Sequence, residues 1–140
     1  MALRLLLAAF LGGIIGLQRE LSGKEAGLRT NMLICTGAAL FTLVSIYGFP
    51  GEDSSRIAAG VVSGIGFIGA GVILHRTGGT VAGLTSAATI WSVAAIGVTA
   101  GTGLYIVSSA ATVLILLILL IPHFHRAEKN SGWRRKEEGS

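Results

Sequence analysis

The apolar positions of this chain fall into five long blocks, with no strand-like alternation between them. Leu3–Leu17, Asn31–Phe49, Ile57–Leu74, Leu84–Ala100 and Leu104–Ile121 are nearly free of charge, and turn or basic residues separate them. Pro50-Gly51 stops the second block, His75-Arg76 the third, and Pro122 the last, while Gly101-Thr-Gly103 parts the fourth from the fifth. Crossing the hydrocarbon core as a helix takes about 20 apolar residues, with about 17 to 25 the usual range. The first block is slightly short, and Arg4 can snorkel from its end to the interface. The last two blocks together run for 38 residues, too many for one crossing, so they read as two spans. The pattern predicts an all-α polytopic membrane protein with about five transmembrane helices. Arg4 followed by Leu5–Leu11 resembles a signal peptide only superficially. The chain stays apolar to Leu17 without a small-x-small cleavage site, so the block is expected to be a retained span.

Composition agrees. Hydrophobic residues make up 51% of the 140 positions and charged residues 13%, about half the charge of an ordinary soluble domain. Mean hydropathy is +0.73. The net charge of +4 sits in short segments between blocks and in the tail, a membrane pattern and not a nucleic-acid footprint. Of the 11 basic residues, Arg19, Lys24, Arg29, Arg76, Arg126, Lys129, Arg134, Arg135 and Lys136 fall on one side, and only Arg4 and Arg56 on the other. The positive-inside rule then places the N-terminus outside and the C-terminus in the cytoplasm. Residues 1–122 are expected to form one transmembrane domain, and 123–140 a short, basic, disordered cytoplasmic tail. Cys35, the single cysteine, excludes an intrachain disulfide and suits no metal spacing.

The stretch Ser63-Gly-Ile-Gly-Phe-Ile-Gly-Ala-Gly71 contains G-x-G-x-x-G, but a dinucleotide-binding turn needs a preceding strand. Here the motif lies inside an uncharged span, where a pyrophosphate has no reason to go. The better reading is helix packing: Gly60 and Gly64, Gly12 and Gly16, and Gly97 and Gly101 all have small-xxx-small spacing, which lets backbones approach closely. The result is a tightly packed, glycine-rich bundle. A weak internal repeat accompanies it. Gly12-Gly-Ile-Ile-Gly-Leu-Gln-Arg19 with Ala26-Gly-Leu-Arg-Thr30 parallels Gly69-Ala-Gly-Val-Ile-Leu-His-Arg76 with Ala82-Gly-Leu-Thr-Ser86. Two such hairpins imply a pseudo-two-fold axis along the membrane normal, with spans one to four as the core and the fifth peripheral.

Polar positions have ordinary readings beside functional ones. Asp53 is suited to capping the third helix, and with Glu52 it is also a candidate external cation contact, since hydrated magnesium uses one or two carboxylates. Arg29-Thr-Asn31 reads as an interfacial anchor and cap, or as an anion site at a helix start. Thr85, Ser86 and Thr89 are expected to bond to backbone or across helices. Trp91 is expected to be buried against glycines, and Tyr105 and Trp133 to lie in the interfacial belts. His75, His123 and His125 sit at a span boundary. No Asp, Glu, Lys or Arg falls deep within a block, and no nucleophile–base pair, Walker motif or His/Cys cluster is present. That argues against an enzyme, against a cofactor and against a charged ion-coupling relay.

Taken in order, Gly27-Leu-Arg-Thr30, Asp53-Ser-Ser-Arg-Ile-Ala-Ala59, Val62-Ser-Gly-Ile-Gly-Phe-Ile-Gly-Ala-Gly-Val-Ile73, Gly83-Leu-Thr-Ser-Ala-Ala-Thr-Ile-Trp91 and Ala95-Ile-Gly97 resemble the MgtC/SapB family of bacterial inner-membrane proteins. On that resemblance Arg29, Asp53, Arg56, Gly64, Gly66, Gly69, Gly71, Thr85 and Trp91 occupy signature positions. The resemblance implies a multi-pass inner-membrane location and a link to magnesium adaptation, acid stress and virulence. It also implies regulation of other membrane proteins, such as a P-type magnesium ATPase or the F-type ATP synthase. Longer members carry a cytoplasmic ACT-like domain for which the tail Arg126–Ser140 is too short.

Three functional expectations follow. The first is a non-enzymatic protein acting by helix contact with itself, as a homo-oligomer, or with a larger complex. The second is an oligomeric channel or carrier for magnesium or another small solute, its pathway lined by backbone carbonyls. The third is a scaffold whose basic tail contacts anionic lipid.

Overall fold

The computed structural model describes residues 1–49, 51, 53, 55–75 and 81–121. The expectations for Glu52, Arg76, His123, His125, Trp133 and the tail 123–140 lie outside the described residues. Five helices form, α1 (Ala2–Leu21), α2 (Leu28–Tyr47), α3 (Ser55–Val72), α4 (Leu84–Thr102) and α5 (Tyr105–Leu120), one for each apolar block. α1 runs past its block because Gln18, Arg19 and Glu20 are good helix formers. It ends where Gly23 adopts φ +64 and the Lys24 amide donates back to the Arg19 carbonyl at 3.1 Å. Glu20 then caps the next helix, its Oε2 accepting from the Leu28 amide at 2.8 Å.

The block expected to be helical through Leu74 stops at Val72. Leu74–His75 (β1) pairs antiparallel with Val81–Ala82 (β2), Leu74 opposite Ala82 and His75 opposite Val81. The helix end tightens first, the Ile73 amide donating to the Ala70 carbonyl at 3.2 Å. The return strand then enters α4 through Gly83 at φ +88. A methyl group there would collide with the Val72 carbonyl oxygen, so glycine is required by both torsion and space.

α1 and α4 both pack on one face of α2 and also touch each other, and glycine makes both contacts with α2 possible. A methyl group on Gly12 would stand 2.7 Å from the Asn31 carbonyl oxygen and 2.7 Å from Cys35 Cβ, and one on Gly16 2.8 Å from Leu28 Cα. Along the same face of α2, Gly97 abuts the Cys35 carbonyl, and a methyl group on Gly101 would stand 2.8 Å from the Ala39 carbonyl oxygen. The core where the three helices meet is Ala8, Leu11, Ile15, Cys35, Ala39, Val93, Ile96 and Ala100. The repeated hairpins show the same kind of contact: Gly12 faces Asn31 in the first, and Gly69 faces Ala87 at the aligned place in the second, at 3.7 Å.

Polarity is reversed relative to a water-soluble fold. Phe67 and Ile106 are 85% and 86% exposed, while Asn31 and Ser108 are fully buried. α5 turns Ser108 and Thr112 inward and Leu114, Leu117 and Leu120 outward. The Thr112 hydroxyl donates to the Ser108 carbonyl at 2.8 Å, so no bond is lost. Such a surface has no place in water and suits hydrocarbon. The fifth helix is peripheral, as expected: only Ser108 and Thr112 are buried, and Ala111, Ile115, Leu116 and Leu119 pack partly buried against the main core.

α3 departs from expectation most. Within it only Ile65 and Gly69 are buried, and 11% of its span is covered against 50% for α4. Methyl groups on Gly60, Gly64, Gly66 and Gly71 would meet nothing within 4 Å. The intrachain glycine seam therefore uses Gly12, Gly16, Gly97 and Gly101, and among the glycines of the glycine-rich stretch only Gly69 touches a neighbouring helix. Ile65 is the other inward position of the stretch, in one buried cluster with Ala38, Ile90 and Ala94.

Unfolding of the purified protein in detergent checks this division. Gly97→Ala is expected to destabilise it by about 1–3 kcal/mol, because the Cys35 backbone cannot yield. Gly60→Ala is expected to leave stability unchanged or raise it by up to about 1 kcal/mol through helix propensity.

Candidate functional site

Two arginines of α1 tie the two ends of the bundle. At the end where α1 begins, Arg4 Nη1 donates to the Gly101 carbonyl at 2.8 Å and Nε to Tyr105 Oη at 3.3 Å. Its guanidinium carbon lies 5.9 Å from the Tyr47 ring centroid. The cation thus sits at the C-terminus of α4, where the helix dipole is negative, and links α1, α2, α4 and α5. Simple snorkelling was the expectation. The actual arrangement is a four-helix clasp.

At the other end, Arg19 is 3% exposed, and its Nη2 donates to Ser86 Oγ in the first turn of α4 at 2.7 Å. Its Nε and Gln18 Oε1 are buried without a hydrogen-bond partner. The sequence reading counted Arg19 among the loop cations and missed its burial. The signal was present, because Ala8, Gly12, Ile15 and Arg19 share one helical stripe, all of it buried. Nearby, Asn31 Nδ2 donates to the Ala26 and Gly27 carbonyls at 2.7 and 2.8 Å. Gln18, Arg19, Ser22, Lys24 and Thr85 form one side of a pocket of about 350 Å³ that α5 closes with Ile118, Leu119 and Ile121.

A larger groove of about 820 Å³ runs between α2 and α3. Gly37, Gly60 and Gly64 form its floor, and Phe41, Val44, Ile57 and Ile68 line it with apolar groups. Arg56 stands in this groove and also in an adjoining hollow of about 520 Å³ with Asp53, Ser45 and Phe49.

The signature residues do not converge on one site. Asp53, Arg56 and Gly64 share the α2–α3 side, whereas Thr85 lies at the start of α4 beside Arg19. Arg29 is exposed in the first turn of α2, as are Gly66 and Gly71 on α3. Trp91, expected to be buried against glycines, is 52% exposed; the inward positions of that turn belong to Thr89, Ile90 and Val93. The hydroxyls behave as expected, Thr89 Oγ1 donating to the Thr85 carbonyl at 2.7 Å.

Asp53 acts as a cap. Its Oδ1 accepts from the Ser55 amide at 2.9 Å. That backbone N–H, with help from the Ser55 hydroxyl, holds the exposed carboxyl below its usual range. Among the described residues, no three His, Cys, Asp or Glu side chains gather as a metal site.

The inverted polarity, the four helices long enough to span a bilayer and the shorter fifth define a polytopic membrane protein. The MgtC family matches residues 5–127, and the chain belongs to that family. It is 51% identical over 129 residues to "Putative magnesium transporter YhiD" of Escherichia coli strain K12, covering 86% of this chain and 60% of the relative. It is 52% identical over 114 residues to "Protein MgtC" of Salmonella typhimurium, covering 81% and 48% respectively. A Haemophilus influenzae protein is 43% identical over 143 residues, covering 95% and 60%. The chain therefore spans about half to three-fifths of the length of these relatives. No solved structure matches it.

The lowered Asp53 value sets a pH dependence. The cap's contribution is complete above the unfolded carboxyl value of about 3.9 and is lost as pH falls through the lower folded value. The gap in melting temperature between wild type and Asp53→Ala should stay constant from neutral pH down to about pH 5 and close in stronger acid. Melting curves across that range check it.

Proposed function

We propose that this chain is a non-enzymatic inner-membrane protein that acts by presenting the open glycine face of α3 to a further transmembrane helix. That helix belongs either to a second copy or to a larger membrane complex. One observation carries the reading: among the described residues, a methyl group on Gly60, Gly64 or Gly71 would meet nothing within 4 Å, whereas Gly12, Gly16, Gly97 and Gly101 of α1 and α4 are in tight contact. Bilayer helices associate by close backbone approach, and small residues at i and i+4 allow it. The apolar groove of about 820 Å³ beside this face gives a second helix side chains to interlock with. The orientation has the N-terminus outside and the C-terminus in the cytoplasm, and the physiological setting is adaptation to magnesium limitation and acid stress. The family membership and the magnesium-transporter name of one relative support the magnesium part of that setting.

A second reading has one support of its own, since a relative 51% identical carries a magnesium-transporter name. In that reading the α2–α3 groove becomes a pathway once copies assemble around it, and magnesium is the cargo.

Cross-linking in native membranes together with flux in proteoliposomes separates the two. Gly64→Leu is expected to keep the melting temperature of the isolated chain while abolishing the cross-linked species, with no magnesium flux for wild type. Magnesium flux by wild type that is lost in Gly64→Leu would instead establish the transport reading. Unchanged cross-linking in Gly64→Leu would end the proposed use of this face.

A further inference from the structure

The pocket beside Arg19 is unlike the rest of the molecule. Elsewhere the buried hydroxyls are satisfied by their own helix, as at Thr42, Thr89 and Thr112. Here a guanidinium 97% removed from the surface, at 3% exposure, keeps one donor, Nε, without a partner. Its hydrogen bond runs to a neutral hydroxyl, Ser86 Oγ, at 2.7 Å. A buried cation without a compensating anion is costly, and several kcal/mol is the usual scale. Among the described residues the acidic group that acts on it is Glu25, an exposed side chain in the α1–α2 loop.

Two further features point to an anion, and a third to a lipid. Lys24, with an exposed side chain, lines the same pocket and adds a second positive charge. Thr85 brings the first turn of α4, whose leading amides have no partner within the helix and whose dipole favours negative charge. That helix runs for 19 residues, long enough for the dipole to matter. The opposite wall, from Ile118 to Ile121 of α5 and its exit, is apolar, and Ile118 and Ile121 are more than half exposed to the surrounding hydrocarbon.

We propose that this pocket binds a phosphate group, with Arg19 and Lys24 as its cationic contacts and Ser22 as a hydroxyl donor. The mixed walls favour the headgroup of an anionic phospholipid, its phosphate against Arg19 and its acyl chain along α5. At about 350 Å³ the pocket holds a phosphate with its glycerol but not a whole lipid, so the chains must leave over the α5 surface. The Arg19 guanidinium lines the pocket, and its fork suits phosphate oxygens once the enclosed Nε turns toward them. The site is independent of the α3 face. Bound lipid would tie the end of α1 to the start of α4 and to α5.

The test uses the full chain in nanodiscs of phosphatidylglycerol or of phosphatidylcholine, with bound lipid counted by native mass spectrometry. A parallel arm measures melting temperature in zwitterionic detergent with and without inorganic phosphate. Wild type should retain phosphatidylglycerol in preference to phosphatidylcholine. Arg19→Gln and Lys24→Gln should each weaken that retention by about tenfold, the scale of one charged hydrogen bond. Arg19→Lys should restore part of it. Lys24→Gln changes only an exposed loop side chain, so it decides the matter even if Arg19→Gln fails to fold. A rise in melting temperature with inorganic phosphate, absent from both Gln variants and unaccompanied by lipid preference, would support the phosphate site and identify free phosphate as its source. If neither anion distinguishes wild type from Lys24→Gln, the proposal is overturned.

Discussion

The contact on which this structure depends is glycine against backbone carbonyl, made twice along one face of α2. Hydrocarbon supplies no hydrophobic drive for helices to associate, so cohesion has to come from van der Waals contact and weak Cα–H···O bonds at short range. Gly12 against Asn31 and Gly97 against Cys35 bring three backbones within that range. Either pair alone would give a dimer of helices. Together they draw α1 and α4 onto α2 as one three-helix slab and determine which residues remain available to others.

The remainder of the architecture follows from that slab. Its two ends are closed by arginines of one helix, Arg4 at the C-terminus of α4 and Arg19 in its first turn. Arg4 meets a carbonyl, a ring and a phenol, so its charge is well accommodated. Arg19 meets one hydroxyl and keeps a spare donor. This asymmetry distinguishes a structural clasp from a site that awaits a ligand. α3 joins α4 along the line of Ile65 and Gly69 and leaves Gly60, Gly64, Gly66 and Gly71 without a described neighbour within reach. Cohesion and recognition are thus assigned to different glycines of the same chain.

Much of this was legible in the sequence. Each apolar block became a helix, and the pairs Gly12/Gly16 and Gly97/Gly101 do what their spacing implies. The densest glycine motif was misread as part of the intrachain seam because spacing identifies a helix face without identifying what covers it. Trp91 was misplaced for a related reason, since in a bilayer a large aromatic gains nothing by burial that lipid does not already offer. Arg19 was readable from the 8-12-15-19 stripe, but charge-counting rules treat a helix-terminal arginine as loop. The β1–β2 pairing was hidden because Ile73 and Leu74 are as apolar as the helix before them.

The central claim, that the slab consumes the glycines of α1 and α4 and leaves those of α3 open, is tested most directly by oxygen accessibility of spin labels. Labels are placed at positions 60, 64, 69 and 71, one at a time, in nanodiscs holding a single copy of the chain. The account predicts high accessibility at 60, 64 and 71, a clear minimum at 69 where α3 meets Ala87, and protection of 60 and 64 once copies or a partner are present. Uniformly low accessibility at all four positions in single-copy discs would contradict it, because α3 would then be buried in its own chain.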